Sequence, residues 1–450
     1  MTGEFKGIAS LADNIGDHVT ASLDLFQPYP CDKGMKSGKM IALRPLSRND
    51  NGPFDFIISS EGSRYVHLPS TRVFVQVKIL HDDGTPVPAT EVVGVVNNFG
   101  PSLFSSIDIQ LNGVDISTVS TPNAHYKSFF ERNFSYGYDA NKTHLCLSGW
   151  VKDVAEEHDN FKARETGVNA GQNGFIRRYK QVQESSSMQM YFPLSSEFLC
   201  CEKLLPNDIN VNVRLIRTSD YFSLLSDVTG KSYKIHFEDI QLFIRSIEVA
   251  PDILKQHQLL FNDGQHAKFA LPRTRIEVFP IQGVSHTILP NIFRDTVLPH
   301  SIMLTMVLSE AYNGSLAKNP YNLEHFNMTR CNLKINGLTV PTSAFTPDFE
   351  NDLFAREYAS LFEGTGIHNG PHSTTITPHD YKNGNFALFF DLTPDACANY
   401  HNHPGESGVM DCEITFADSL DEPITIIMMG SYDSTLLLDK NRQPSLIETR

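Results

Sequence analysis

Apolar and polar residues alternate in short runs along most of the chain, and the runs come in the same order twice. In RVFVQVKIL, Val73, Val75, Val77 and Ile79 share one side while Arg72, Gln76 and Lys78 take the other, the signature of a half-buried strand. SIMLTMVLS stands in the corresponding place of the second half, with Ile302, Leu304, Met306 and Leu308 on one face. Each run is followed by alternation around an Asn-Gly pair, IQLNGVDI from Ile109 to Ile116 and LKINGLTV from Leu333 to Val340. Asn-Gly supplies the positive φ that a type I′ turn needs, so Asn112-Gly113 and Asn336-Gly337 predict two tight hairpins at corresponding points of a repeat.

The repeat continues past the hairpins. Thr121-Pro122 comes nine residues after Asn112, and Thr346-Pro347 comes ten after Asn336. Each pair reads as a helix cap with Pro at the first helical position. Behind the first cap, Tyr126, Phe129, Phe130 and Phe134 recur at helical spacing; behind the second, Phe354, Tyr358, Leu361 and Phe362 do so, closed by Gly364. One aromatic helix per half is therefore expected, either capping its own core or packing against a neighbouring barrel. Polar, weakly periodic excursions follow at 136–186 and 364–382.

Strands then resume in matching order. MQMYFPL, ending at Leu194, is answered by FALFFDL, ending at Leu392, and DINVNVRLIR by DCEITFA. In IHFEDIQLFIRSIEV the alternation slips between Phe237 and Ile240, which a β-bulge would absorb, and ITIIMMGS from Ile424 supplies the last buried strand. Pro251 to Asn262, closed by Asp263-Gly264, reads as a short helix between the halves. The expected organisation is an N-terminal arm at 1–16, a first domain at 17–249, a linker helix at 250–265, a second domain at 266–438 and a loose charged tail at 439–450. Many short strands, Gly and Pro turns and one inserted helix per unit predict an all-β fold of two tandem antiparallel jelly-roll sandwiches.

Composition narrows the function. At 450 residues the chain can bury two cores without disulfide or metal staples, and its seven cysteines show no CxxC spacing. A net charge of −15 excludes a general nucleic-acid or anionic-membrane surface and leaves DNA only local or indirect contact. No apolar run of about 18 residues predicts a membrane span, and the first 25 residues carry no basic-then-apolar leader, so a soluble protein of a reducing compartment is expected.

Candidate chemistry is thin. GMKSGKM, from Gly34 to Met40, has three residues between its glycines and Met after the lysine, whereas a phosphate loop needs four and a Ser or Thr. Cys397, His401 and His403, with His368, His372 or His379 nearby, could offer zinc a thiolate and imidazoles, but C-x3-H-x-H matches no standard ligand spacing. The acidic run Glu156, Glu157 and Asp159 reads as a solvated face. With no G-x-S-x-G elbow and no H-E-x-x-H helix, no catalytic, cofactor or metal residue is assigned and no enzymatic activity is expected.

The stretch LPNIFRDTVLPHSIMLTMVLSEAYNGS from Leu289 to Ser315, with NLKINGLTVPTSAFTPDFENDLFAREYASLF ending at Phe362, resembles the major capsid proteins of Maverick/Polinton-type elements and adintoviruses. These belong to the double jelly-roll lineage that includes the adenovirus hexon. The resemblance implies a homotrimeric, pseudo-hexameric capsomer in an icosahedral shell around double-stranded DNA, with neighbouring capsomers and a single jelly-roll vertex (penton) protein as partners. It implies no cofactor, a virion location, and synthesis as a soluble protein in the host cytoplasm or nucleus. The polar excursions would then form the outer capsomer surface and inter-subunit clamps. Two other readings stay open at this point. One is a two-jelly-roll hydrolase acting on glycans, which would normally be secreted; the other is a host-retained, capsid-derived protein with a different role.

Overall fold

The computed structural model describes residues 31–47, 49–59, 62–115, 121–161, 174–293, 297–368, 373–396 and 405–448. The expected N-terminal arm lies outside them, as do His372, Cys397, His401 and His403. The first half contains β1 (Met35–Leu43), β2 (Phe54–Ser59), β3 (Arg64–His81), β4 (Phe104–Leu111), β5 (Val114–Asp115), β6 (Met188–Phe192), β7 (Asn210–Arg217) and β8 (Tyr233–Val249). The second contains β9 (Arg273–Ile281), β10 (His286–Leu289), β11 (Ser301–Leu308), β12 (Met328–Ile335), β13 (Leu338–Phe345), β14 (Leu388–Asp391), β15 (Met410–Phe416) and β16 (Ile424–Tyr432). The first half forms antiparallel sheets ordered β1-β8-β3-β6 and β2-β7-β4-β5, and the second forms β9-β16-β11-β14 and β10-β15-β12-β13. Adding eight to each strand number converts one half into the other, so the chain is a double jelly roll. Four helices matter below: α1 (Ala124–Ser135), α2 (Gly174–Val182), α3 (Pro251–Asn262) and α4 (Ala355–Gly364).

Alternation builds the first sandwich as expected. Val73, Val75, Val77 and Ile79 of β3 are all buried, facing a core that also holds Val211, Val213 and Leu215 of β7. The slip in β8 is a register shift between Phe237 and Asp239 against β3, which returns Ile240 to the core side.

The two hairpins use asparagine and glycine for different reasons. Positive φ occurs at Asn112 (49°), Gly113 (78°), Asn336 (50°) and Gly337 (84°), as a type I′ turn requires. Asn112 N–H donates to the Asn210 carbonyl (2.9 Å), and Asn210 N–H donates to Asn112 Oδ1 (2.8 Å). Asn336 repeats this with Val409, at 3.0 and 3.1 Å. In each half the asparagine fastens the turn to the start of the neighbouring strand, β7 or β15. The glycines supply conformation alone, since a Cβ at either would meet nothing within 4 Å.

The Thr-Pro pairs are not helix caps. Thr121-Pro122 forms a short strand against β4, with Ile107 opposite Thr121 and Ser106 opposite Pro122, and α1 begins only after Asn123. A residue before proline is pushed towards extended backbone, and a sheet edge tolerates the missing N–H. Thr346-Pro347 follows β13 directly, and Phe354 precedes α4; Thr346 N–H instead donates to Glu357 Oε1 at 3.0 Å.

A helix, α3, occupies Pro251–Asn262, and the tail beyond 438 is not loose. Pro444–Glu448 pairs with Ser434–Leu438, which pairs with Ala267–Ala270. This small sheet sends Phe269, Leu271, Leu436 and Leu438 into the first jelly roll's core. The apolar alternation of STLLL at 434–438 thus serves the neighbouring half.

Gly113→Val and Gly337→Val should each lower stability by about 1–2 kcal/mol through the positive-φ penalty. Asn336→Gly, which keeps the conformation and loses the clamp, should cost about 1 kcal/mol. Urea midpoints of the three variants, compared with the parent chain, check both values.

Candidate functional site

Among the described residues, buried polar and aromatic side chains are concentrated where the two jelly rolls meet. The helix α1 is the centre of that seam, with ten of its twelve residues buried. On its own half, Lys127 pairs with Glu197 (2.9 Å) and Glu131 (3.2 Å), and Ser128 accepts from Asn98 Nδ2 at 3.1 Å. On the other side, Phe129 stacks on Tyr321 at 4.1 Å, Tyr126 stacks on Tyr312 at 5.6 Å, and Phe134 meets Phe389 edge-on at 5.6 Å. Tyr126 Oη donates to the Pro320 carbonyl (3.0 Å), and Asn133 Nδ2 donates to Asn385 Oδ1 (2.9 Å).

Tyr312 follows β11 and Phe389 sits on β14, so α1 lies across the outer face of sheet β9-β16-β11-β14. The consequence is visible in β11. Its alternate residues Met303, Thr305 and Val307 are 2%, 0% and 0% exposed, although they point away from their own sandwich. The expectation of a single buried face on this strand is therefore overturned. A signal for it was present, because positions 303, 305 and 307 carry no charge, whereas Gln76 and Lys78 mark the solvent face of β3.

The first polar excursion completes the seam. Trp150, Phe161, Phe175 and Ile176 join the same hydrophobic cluster as the second half's core. Arg178 of α2 is fully buried; it donates to the Val95 carbonyl (2.8 Å) and pairs with Asp153 at 2.8 Å. The second carboxylate oxygen of Asp153 accepts from Asn319 Nδ2 at 3.2 Å. Asp159 accepts from Asn319 N–H (2.7 Å) and Asn322 Nδ2 (3.3 Å), and Asn322 Nδ2 also donates to Glu324 (2.6 Å). The acidic run is thus no simple solvated face. Glu156 is exposed, 3.8 Å from His379, but Asp159 ties the excursion to the β11–β12 loop of the second half.

A polar cleft of about 470 Å³ opens beside this clamp, lined by Glu156, His158, Asp159, Glu324, His325 and Lys382. Burial, together with the charge of Asp159, raises the Glu324 pKa. Both carboxylates are nevertheless engaged by Asn322, which suits them to holding a loop. GMKSGKM is extended edge strand, with Gly38 opposite Ile247, and has no loop-to-helix geometry. Among the described residues no three His, Cys, Asp or Glu side chains are arranged to hold a metal ion.

Three histidines at the seam stay neutral in the fold. Burial lowers His125, packed edge-on against Phe222 at 4.5 Å, to about 3, and lowers His325, stacked on Phe349 at 3.8 Å, to about 4. Burial also lowers His158. In the unfolded chain these side chains take up protons near pH 6.5, so below that value the unfolded state binds more protons. Stability present above pH 6.5 should fall as the pH drops towards about 4 and then about 3. Denaturation midpoints measured from pH 7.5 to pH 4.5 should decline, and His125→Gln should flatten that slope. Asp153→Ala, which leaves the Arg178 charge buried and unpaired, should cost about 3–5 kcal/mol by chemical denaturation at pH 7.5.

No family model matches the chain. An uncharacterized protein of Caenorhabditis elegans is 22% identical over 358 residues, which cover 77% of this chain and 82% of that protein. Among solved structures, a chain of the Sputnik virophage superposes with a TM-score of 0.60 at 11% identity, over 98% of this chain and 94% of that one. The Faustovirus major capsid protein superposes with a TM-score of 0.55 at 11% identity, over 93% of each chain. Likeness at such identity is likeness of fold, and it runs over nearly the whole length: both jelly rolls and the seam between them fall within the matched span.

Proposed function

We propose that this chain is the major capsid protein of an icosahedral double-stranded DNA virus or virus-like transposon of the Maverick/Polinton and adintovirus type. It works as a homotrimeric, pseudo-hexameric capsomer. The observation that carries the reading is the full-length double jelly roll, a fold shared with the Faustovirus major capsid protein; in this chain the aromatic residues of α1 belong to the second half's hydrophobic cluster. Three such blocks around a three-fold axis present six barrels in a near-hexagonal outline, which tiles a shell. Its partners are other copies of itself, neighbouring capsomers and a single jelly-roll vertex protein. The net charge of −15 favours local or indirect contact with packaged DNA. Against a glycan hydrolase stands the use of Asp153 and Asp159 as structural ties across the seam.

Size exclusion with light scattering should give a particle near three times 50.4 kDa, with a six-lobed outline in electron micrographs. A stable monomer that cleaves glycans would overturn the assignment.

A further inference from the structure

The repeat is symmetrical in topology and unequal in burial. Tyr191 on β6 pairs with Phe74 of β3 as Phe389 on β14 pairs with Met303 of β11. Phe389 lies beneath α1, against Phe134. Tyr191, its counterpart, is 37% exposed and meets Phe243 edge-on at 5.6 Å. Phe74, Gln76 and Lys78 are half-buried where Met303, Thr305 and Val307 are sealed. Among the described residues, therefore, no helix lies over the outer face of sheet β1-β8-β3-β6.

The converse holds for α4. It stands between β13 and β14 as α1 stands between β5 and β6, yet only three of its ten residues are buried, against ten of twelve in α1. Its covered side belongs to its own half, where Ser360 Oγ accepts from Phe389 N–H (3.2 Å) and Tyr358 Oη donates to the Ile376 carbonyl (2.9 Å). Arg356 turns back onto Phe345 and the Ala344 carbonyl. Ala355 and Glu363 face outward, and Leu353, just before the helix, is 66% exposed.

We infer that the outer face of sheet β1-β8-β3-β6 receives α4 of a second copy of this chain, repeating head-to-tail between chains the contact that α1 makes within one. The inference rests on the capsomer reading above and names the surfaces that build it. The described residues leave this sheet face and the outward side of α4 uncovered, the two partners of one heterologous contact, which closes into a ring when the rotation permits. The chemistry of the sheet face fits such a role. Phe74, Tyr191 and Phe243 lie among Arg72 and Arg245, the aromatic and arginine composition of interface cores, and Glu363 on α4 is of opposite charge. This face is also more polar than its intrachain counterpart because it meets water until assembly, whereas the α1 seam is closed once the chain has folded.

Tyr191→Glu tests the surface by light scattering on the full chain. The parent should be trimeric, and the variant should need at least about 30-fold more protein to reach half-trimer, with an unchanged circular dichroism spectrum. Independently, Tyr191→Cys combined with Glu363→Cys, in a chain whose Cys31, Cys146, Cys200 and Cys397 are replaced by Ser, should give two- and three-chain bands on a denaturing gel after oxidation. Neither single cysteine should do so. A parent trimer that survives Tyr191→Glu and forms no cross-link overturns this surface and leaves the capsomer reading standing. A monomeric parent overturns both. Should Tyr191→Glu misfold, the cross-link decides alone.

Discussion

A sheet that is apolar on both faces cannot face water, and the second jelly roll contains one. Met303, Thr305 and Val307 look outward from their own sandwich and are almost wholly buried. At about 1.5–3 kcal/mol for each large apolar side chain removed from water, leaving that face open would cost a large part of a domain's net stability. The helix α1 meets this face at Phe389 through Phe134, so the first half sits against the second. The two jelly rolls are therefore one mechanical unit, and the aromatic residues of α1 are as much a part of the second half's core as of the first's.

Polar groups in the seam play a different part from the aromatic ones. Stacked rings supply buried area but tolerate sliding, whereas the Arg178–Asp153 pair, the Asn319 and Asn322 ties and the Asn133–Asn385 bond are satisfied in one registration only. Buried ion pairs add little net stability when compared with apolar replacements, so their contribution here is to fix how one barrel is set on the other. The small sheet made from Ala267–Ala270, Ser434–Leu438 and Pro444–Glu448 adds a second tie, because strands at both ends of the second half deliver leucines and a phenylalanine to the first half's core.

Equivalent elements of the repeated topology behave unequally. The same position between the fifth and sixth strands of each half carries an aromatic helix, and each half has a corresponding outer sheet face. Within the chain one copy of this pairing is permanent and apolar. The other copy keeps glutamines, a lysine and arginines among its aromatics, the composition that the proposed contact between copies would use. The proposed shell calls for both kinds of contact: one that sets the shape of the block, and one made between copies.

The local physics of the chain was enough to determine the strands, the bulge in β8, both Asn-Gly turns, the linker helix and the existence of two aromatic helices, because period-two alternation, positive φ and helical spacing act over a few residues. The double jelly roll followed, since the repeat order leaves few topologies. Partnership across hundreds of residues was not legible in this way. Thr121-Pro122 looks like a cap until β4 is found beside it, the acidic run looks solvated until Asn319 and Asn322 reach it, and STLLL gives no hint of whose core it fills. The uncharged outer row of β11 was the one readable trace of the seam. Tertiary structure decided the rest, because burial and hydrogen bonding between distant segments depend on which surfaces meet, and periodicity names a buried face without naming what covers it.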